Sequence, residues 1–227
     1  MNSVPIIYEN DEIYIVNKPA GMPVQGGENA AHPLDVEFSR QTGKKVFLVH
    51  RLDRDTAGLM VVAKSPAAAA KWTALVASKT VSREYTAVCA GVMAPESGVI
   101  DEPLVQHGIR KNAVTGYETL RRWSCVCGGT ETEFSVLRLV LETGRMHQIR
   151  IHLAACGCPI AGDDRHGNFR LNRLLRKEAG LRRMLLISSK LTVPAGKSSL
   201  AFEIPLPDYA EEFISAVSSQ MADDGAD

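Results

Sequence analysis

Segments in which hydrophobic residues alternate with polar ones, or form short apolar runs, predict the strands of this protein. They are "EIYIVNK", "KVFLV", "GLMVVAK", "VSREYTAVCAGV" and "EFSVLRLVLETG". In the last segment Leu137, Leu139 and Leu141 share one face and Arg138 lies on the other, which is the period of two that a strand requires. The first segment ends in a Pro-Ala-Gly turn, so it predicts a strand and its stop.

Helical spacing and helix-start signals predict four helices. Ser65 and Pro66 are typical of an N-cap and a first helical residue, and they open a helix through "AAAAKWTALVAS". A helix within "RLNRLLRKEAG" ends at Gly180, and the last helix begins with a variant capping box, Asp208 and Glu211. The fourth helix follows Gly144, with apolar residues at helical spacing: Met146, Ile149 and Leu153.

The strands and helices do not alternate as regular βαβ units. This favours an α+β fold with a mixed, largely antiparallel central sheet and flanking helices and loops over a doubly wound parallel sheet. The chain has no internal repeat and no Pro/Gly/Ser-rich linker. We therefore expect one domain, of a size that can hold an active site, over residues 1–215 and an acidic, flexible tail over 216–227.

Composition excludes several classes of protein. The 227 residues are 45% hydrophobic, which supports a core. No apolar stretch reaches the roughly 18 residues of a membrane span, and the acidic N-terminal segment does not resemble a signal peptide. Five cysteines argue against a complete disulfide framework, and neither Cys-x-Cys pair has the usual spacing of a zinc site. We expect a cytoplasmic protein without a metal.

Charge is unevenly distributed although the net charge is zero. Arginine and lysine are frequent between residues 165 and 183, and acidic residues accumulate after Lys197. Such asymmetry permits a local nucleic-acid surface, although the charge pattern alone favours a solvated helix face.

Two polar segments lie at junctions between apolar elements and are candidates for chemistry. In "HRLDRDT", Asp53 lies among cations, as either a surface ion cluster or a catalytic carboxylate. In "TGRMHQIRIH", Arg145 follows the flexible Gly144. A guanidinium favours the ionised form of a nearby carboxylate and orients it by a bidentate fork. An Asp53–Arg145 pair is therefore either catalytic or a structural ion pair.

These segments resemble the RluA family of RNA pseudouridine synthases. "VHRLDRDTAGLMVVAKS" is similar to its His-Arg-Leu-Asp motif, and "LETGRMHQIRIHLAACGCPIAGD" to its second long motif. "IIYENDEIYIVNKPAGMPV" and "SREYTAV" match two further motifs in the family's order. The resemblance implies the pseudouridine synthase fold, with an active-site cleft across the sheet.

By resemblance, Asp53 is the catalytic aspartate of a reaction that needs no cofactor and no metal. The uridine C1′–N1 bond breaks, the uracil turns and is rejoined through C5. Either attack of Asp53 on C1′ or removal of the 2′ proton is compatible with the sequence. Arg145 matches the arginine that pairs with the aspartate, and Tyr85 matches the tyrosine that stacks on the base and assists the final proton transfer.

The resemblance also implies residues that contact RNA or orient the site. Arg51 is expected to fill the space left by the flipped-out base. His50 is expected to orient the loop as a hydrogen-bond donor or to act in acid–base chemistry. The other predicted RNA-binding residues are Lys18, Thr56, His147, Gln148 and Arg150, of which the last three orient the loop or touch RNA.

Three positions depart from the family pattern. Ala57 replaces a serine, His166 a tyrosine, and Ile187 the histidine of a Leu-His-Ala stretch. None of them removes the predicted acid or its cation. They affect the packing of the loops and the choice of RNA more than the reaction.

The expected substrate is a structured RNA, a stem-loop of large-subunit rRNA or of tRNA. We expect a compact form without an N-terminal S4-type RNA-binding module, and a monomer without an obligatory protein partner. Two alternatives remain: a non-catalytic RNA-binding protein with the same fold, and a glycoside-type hydrolase. The hydrolase would need a second carboxylate, for which Asp55 is the candidate.

Overall fold

The structure is a computed structural model that describes residues 3–26 and 31–219. Within these residues the strands are β1 (Ile6–Glu9), β2 (Ile13–Lys18), β3 (Phe47–Leu48), β4 (Ala57–Ala63), β5 (Ser82–Ala90), β6 (Ser97–Asp101), β7 (Leu104–Gln106), β8 (Ile109–Lys111), β9 (Val114–Cys127), β10 (Thr130–Leu141), β11 (Leu186–Ala195) and β12 (Ser198–Glu203). The helices are α1 (Leu34–Thr42), α2 (Pro66–Ala77), α3 (Gln148–Ala155), α4 (Phe169–Glu178) and α5 (Asp208–Ser219). None of the helices in the described part is long and apolar enough to cross a membrane.

Contacts divide the chain into two compact units. The first comprises Met1–Glu84 and Ile187–Ile204, and the second comprises Tyr85–Leu186 and Pro205–Asp227. The boundary falls inside β5 and next to the start of β11. The predicted single domain over residues 1–215 stays a prediction.

The sheet of the first unit is mixed. Strands β1, β2, β4 and β11 are neighbours in that order, β12 pairs with β11, and β3 pairs with β4. β11 runs parallel to β4, with Ile187 opposite Ala57, and the other pairs are antiparallel. Gly58 makes this parallel pair possible, because a Cβ there would lie 2.3 Å from the carbonyl oxygen of Ser188.

The core of the first unit forms where β2 and β4 meet α2. Ile13, Ile15, Leu59 and Val61 are buried in it together with Trp72 of α2. α2 begins as predicted, since the Ser65 hydroxyl accepts from the backbone N–H of Ala68 at 3.1 Å and Pro66 is its first residue.

The sheet of the second unit is built on a long antiparallel pair. β9 and β10 pair along almost their full length, and β6 lies on the other edge of β9. Phe134 of β10 lies opposite Trp123 of β9 with their rings 5.7 Å apart, and Phe213 of α5 packs on Phe134. Leu171, Leu174 and Leu175 of α4 join this core.

The predicted α+β fold with a mixed, largely antiparallel sheet is confirmed. Two predictions about helix ends were wrong. Met146 is outside α3 and 49% exposed, because His147 adopts a left-handed conformation (φ 55°) just before the helix. Residues 216–219 are helical rather than part of a flexible tail, since α5 buries Val217. Residues 220–227 of the predicted tail lie outside the described residues.

Candidate active site

Asp53 lies in a loop that joins β3 to β4 in the first unit. Its side chain is half-buried, and its main-chain carbonyl accepts from the N–H of Thr56 at 3.2 Å. Arg51 is exposed, and Arg54 pairs with Asp55 at 3.1 Å. The loop therefore holds two carboxylates: Asp55, which pairs with Arg54, and Asp53, which lies half-buried at the predicted catalytic position.

Lys18, at the end of β2, holds this loop from the protein interior. Its side chain is fully buried, and its Nζ donates to the carbonyls of Pro19, Met22 and Arg54 at 2.8–3.0 Å. Burial lowers the pKa of Lys18 to about 7, against the opposing effect of the carboxylates of Asp55 and Asp53. The predicted RNA contact of Lys18 does not fit this geometry, because all three ammonium protons have carbonyl acceptors.

His50 is tied to the strand that follows the loop. Its Nε2 accepts from the backbone N–H of Val61 at 3.0 Å, and this bond requires the proton to be on Nδ1. Burial, with a smaller contribution from the charge of Arg83, lowers the pKa of His50 to about 3. His50 thus orients the loop as an acceptor in its neutral form, rather than as the predicted donor.

Thr56 is the last residue of this polar segment. Its side chain is buried and only 2% exposed. A direct contact of this hydroxyl with RNA, as predicted, does not fit such burial. Of the described residues predicted to bind RNA in the first unit, Arg51 alone is exposed.

Gln148 organises the second predicted segment, which lies in the second unit. Its Oε1 accepts from the hydroxyl of Thr143 at 2.7 Å and from the backbone N–H of Arg145 at 3.0 Å. Its Nε2 donates to the carbonyl of Val114 at 3.0 Å and to the hydroxyl of Thr115 at 2.9 Å. Gln148 is buried and fully hydrogen-bonded, so it holds the loop rather than contacting RNA.

Arg145 points outward from the loop that Gln148 holds. Its Nε donates to the carbonyl of Asn112 at 2.9 Å, and the side chain is exposed. The backbone on both sides is fixed, because the N–H of Gln148 returns a bond to the carbonyl of Arg145 at 3.1 Å. The loop therefore presents a guanidinium fork from a well-fixed backbone.

Arg150 forms a buried ion pair with Asp163 after α3. Its Nε and Nη2 each lie 2.7 Å from a carboxylate oxygen of Asp163. Burial raises the pKa of Asp163, but hydrogen bonds from Arg150 and from the N–H groups of His166 and Arg165 outweigh it and lower the pKa to about 2. Of the two roles predicted for Arg150, this buried ion pair fits the orienting one and not a direct RNA contact. Sequence reasoning missed Asp163, although it belongs to the Gly-Asp end of the second motif.

The three departures from the family pattern have local partners in the structure. His166 lies beside His147, with Nε2 and Nδ1 2.9 Å apart. Ala57 and Ile187 are opposite each other on the parallel strands β4 and β11, and both are buried. Two of the three departures, Ala57 and Ile187, therefore face each other, and the third, His166, contacts a histidine of the second motif.

The structure groups the predicted residues in two sets. Lys18, His50, Arg51, Asp53 and Thr56 belong to the first unit. Tyr85, which is buried and 4% exposed in β5, belongs to the second unit with Arg145, His147, Gln148 and Arg150. The predicted pairing of Asp53 with Arg145 and the roles of the three catalytic candidates stay predictions.

Comparisons with known proteins agree with this fold and with the motifs. The chain matches the family model described as RNA pseudouridylate synthase over residues 12–155. The ribosomal large subunit pseudouridine synthase D of Haemophilus influenzae is 32% identical, with 93% of this chain and 70% of that protein covered. Its namesake from Pseudomonas aeruginosa is 36% identical, with 71% of this chain and 53% of that protein covered. Among solved structures, Human RNA Pseudouridylate Synthase Domain Containing 4 superposes with a TM-score of 0.75 at 25% identity, covering 94% of this chain and 93% of that chain.

The fold and these matches define an isomerase that acts on RNA. The loops that hold Asp53 and Arg145 lie inside the matched residues 12–155. The chain belongs to the RNA pseudouridine synthase family, which converts uridine in RNA to pseudouridine.

Proposed function

We propose that this protein isomerises uridines in large-subunit rRNA with Asp53 as the catalytic carboxylate. The observation that carries the proposal is the family match over residues 12–155, which includes the loop that holds Asp53. The names of the bacterial relatives support rRNA as the substrate. Transfer RNA is the second candidate substrate, because the motifs alone do not distinguish the two.

The surroundings of Asp53 support a chemical role for it. Its loop is fixed from inside by Lys18 and His50, while Asp53 itself is only half-buried. Asp55, the second acid of the loop, is engaged by Arg54. A preorganised carboxylate within reach of a ribose can attack C1′ or take the 2′ proton, and either step breaks the C1′–N1 bond.

Arg145 and Tyr85 belong to the same proposal. Arg145 is the cation that pairs with the catalytic carboxylate in this proposal. Its exposed guanidinium on a fixed backbone supports that role. Tyr85 is 4% exposed, so in this proposal it stacks on the base only when RNA binding uncovers its ring, and it then helps to remove the C5 proton after the uracil has been rejoined. Arg51 is exposed and contacts the RNA stack that the flipped nucleotide leaves.

We also propose that the protein acts in the cytoplasm as a monomer. All five cysteines are free, which fits a reducing compartment. Light scattering on the purified protein tests the monomer.

Tritium release tests the reaction and the role of Asp53 together. Total RNA labelled with tritium at uracil C5 is incubated with the wild type, with Asp53→Asn, and with Asp55→Asn as the matched control. Isomerisation replaces the C5–H bond by the C5–C1′ bond, so it must release the label to water. We expect release by the wild type and Asp55→Asn, and none by Asp53→Asn.

Other outcomes would identify the alternatives. Release by Asp53→Asn would remove Asp53 from the mechanism. Free labelled uracil in place of tritiated water would indicate a hydrolase, and RNA binding without release would indicate a non-catalytic binding protein. Repeating the assay on separated rRNA and tRNA assigns the substrate.

A further inference from the structure

The exposed side of α4 carries a strongly basic surface that the proposed reaction does not use. We propose that this surface docks a segment of the substrate RNA other than the reacting uridine. We define the basic face of α4 as Phe169, Arg170, Arg173 and Lys177. The inference rests on the proposed function, since it takes the substrate to be RNA.

The basic face lies opposite the side of α4 that packs into the core. Asn172 and Leu175 are buried, and at 100° per residue they point away from Arg173 and Lys177. All four residues of the basic face are exposed. The cations at positions 170, 173 and 177 therefore form one continuous stripe towards solvent.

The cations of the basic face lack acidic partners among the residues that the structure describes. Within the described part of the chain, the ion pair of α4 joins Arg176 to Asp164, and none involves the cations of the basic face. Glu178, the acid of this helix, accepts from the backbone N–H of Gly128 at 3.2 Å. The stripe is thus not balanced by charges of its own helix.

This arrangement is unfavourable for an isolated helix. Arg170 and Arg173 are three residues apart, and Arg173 and Lys177 are four apart, so like charges are neighbours. Arg170 also lies in the first turn, near the positive end of the helix dipole. A polyanion along the face relieves both effects, whereas a merely solvated face needs no such concentration of one sign.

The basic face is rigidly mounted on the second motif. The buried Asn172 accepts from the N–H of Gly162 at 3.0 Å and donates to the carbonyl of Asp163 at 2.9 Å. Asp163 in turn holds Arg150 of α3. RNA on the basic face is therefore held in a fixed position relative to the loop that carries Arg145.

Phe169 indicates which polyanion fits. It is 58% exposed at the start of α4, beside the cations of the stripe. An aromatic ring next to cations suits a single-stranded RNA segment, whose phosphates contact the cations while an unpaired base stacks on the ring. The occupant we propose is an unpaired segment of the substrate RNA.

The salt dependence of binding tests the proposal. The variant is Arg170→Gln/Arg173→Gln/Lys177→Gln, and the control, Lys44→Gln/Lys45→Gln/Lys197→Gln, removes three exposed cations of the first unit. Binding of a fluorescein-labelled oligouridylate is measured by anisotropy at several salt concentrations. Loss of three phosphate contacts should make the negative slope of log K against log salt shallower by about 2. The control should keep the wild-type slope.

Kinetics on C5-tritiated total RNA give the second readout. The basic-face variant should raise KM about tenfold and leave kcat unchanged, because the surface binds RNA and does not touch the reacting nucleotide. Phe169→Ala should weaken oligouridylate binding several-fold without changing the salt slope. Circular dichroism and unfolding midpoints establish that each variant is folded.

Two results would overturn the basic face as an RNA surface. One is a folded basic-face variant whose salt slope and KM equal those of the wild type. In that case, binding of polyglutamate to the same face would assign it to an acidic protein partner. The other is an equal loss in the control variant, which would reduce the effect to net charge. Failure of the proposed function appears separately, as absence of tritium release by the wild type.

Discussion

The two candidate loops are held by different chemistry. The loop of Asp53 depends on ionisable groups, since the buried Lys18 ammonium binds three carbonyls and the His50 ring accepts from Val61. The loop of Arg145 depends on the neutral amide of Gln148, with its four hydrogen bonds. The ion pair of Arg150 with Asp163 supports the same region.

This difference predicts which of the two loops should be sensitive to pH. The pKa of Lys18 is lowered by burial to about 7 and that of His50 to about 3, so both change charge at a pH different from that of the unfolded chain. The Asp163 carboxylate has a pKa of about 2 and stays ionised across the usual working range. We therefore expect the anchors of the first loop to be pH-dependent and those of the second to be constant above about pH 4.

The largest effect is expected from Asp163→Ala. This change leaves the Arg150 guanidinium buried without its carboxylate, which should cost about 3–5 kcal/mol of unfolding free energy. Urea unfolding at neutral pH measures it. Asp164→Ala is the control, because its ion pair with Arg176 is on the surface and should contribute about 0–1 kcal/mol. Equal losses in the two variants would refute the structural role of Asp163.

Lys18 should make the stability of the wild type rise with pH. Its folded pKa of about 7 lies below the ordinary 10.5, so the folded state binds fewer protons than the unfolded state between these values. From pH 7 to pH 9.5 this contributes about 3 kcal/mol in favour of folding. Lys18→Met loses the three carbonyl bonds and is less stable throughout, but it should lack this rise.

The quantity to compare for Lys18 is the difference between wild-type and variant unfolding free energies across that range. Other groups that titrate there, such as the cysteines, cancel in this difference. Lys44→Met, an exposed position, should reproduce the wild-type profile. If the unfolding free energy of Lys18→Met changed with pH in parallel with the wild type, Lys18 would carry the same charge in the folded and the unfolded chain, which would contradict the lowered pKa.

His50 should destabilise the protein in acid. Its folded pKa of about 3 lies below the ordinary 6.5, so stability is complete above pH 6.5 and is lost as the pH falls towards 3. At pH 4.5 the loss should be about 2–3 kcal/mol relative to pH 7.5. His50→Gln should flatten this part of the profile, and the exposed His107→Gln should not. Thermal unfolding at the two pH values decides, and an unchanged acid loss in His50→Gln would contradict the assignment.

Elements with local signals were predictable from the sequence, and elements defined by distant partners were not. β10 was predictable because Leu137 and Leu139 alternate with Arg138, and α2 because of Ser65 and Pro66. α1 was missed, since it buries only Leu34 and Phe38 and has no side-chain cap.

The residues that support the site show the same limit. Asp53 and Arg145 were predicted from motifs. The function of Gln148 could not be read from the sequence, because Val114 and Thr115 precede it by more than thirty residues. Likewise, nothing local indicates that the ammonium of Lys18 is buried under the carbonyl of Arg54.

The smallest effect should come from Gln148→Leu, which tests the neutral anchor of the second loop. Leucine leaves the N–H of Arg145 and the carbonyl of Val114 without their partner, at a cost of about 1–3 kcal/mol. This loss should be the same at pH 5 and pH 9, because no charge is involved. Gln106→Leu, which removes one exposed bond to Met146, is the matched control. If the Gln148→Leu loss varied with pH as the Lys18 and His50 effects do, the two loops would not differ in the way their contacts indicate, since a neutral amide has no proton to exchange in this range.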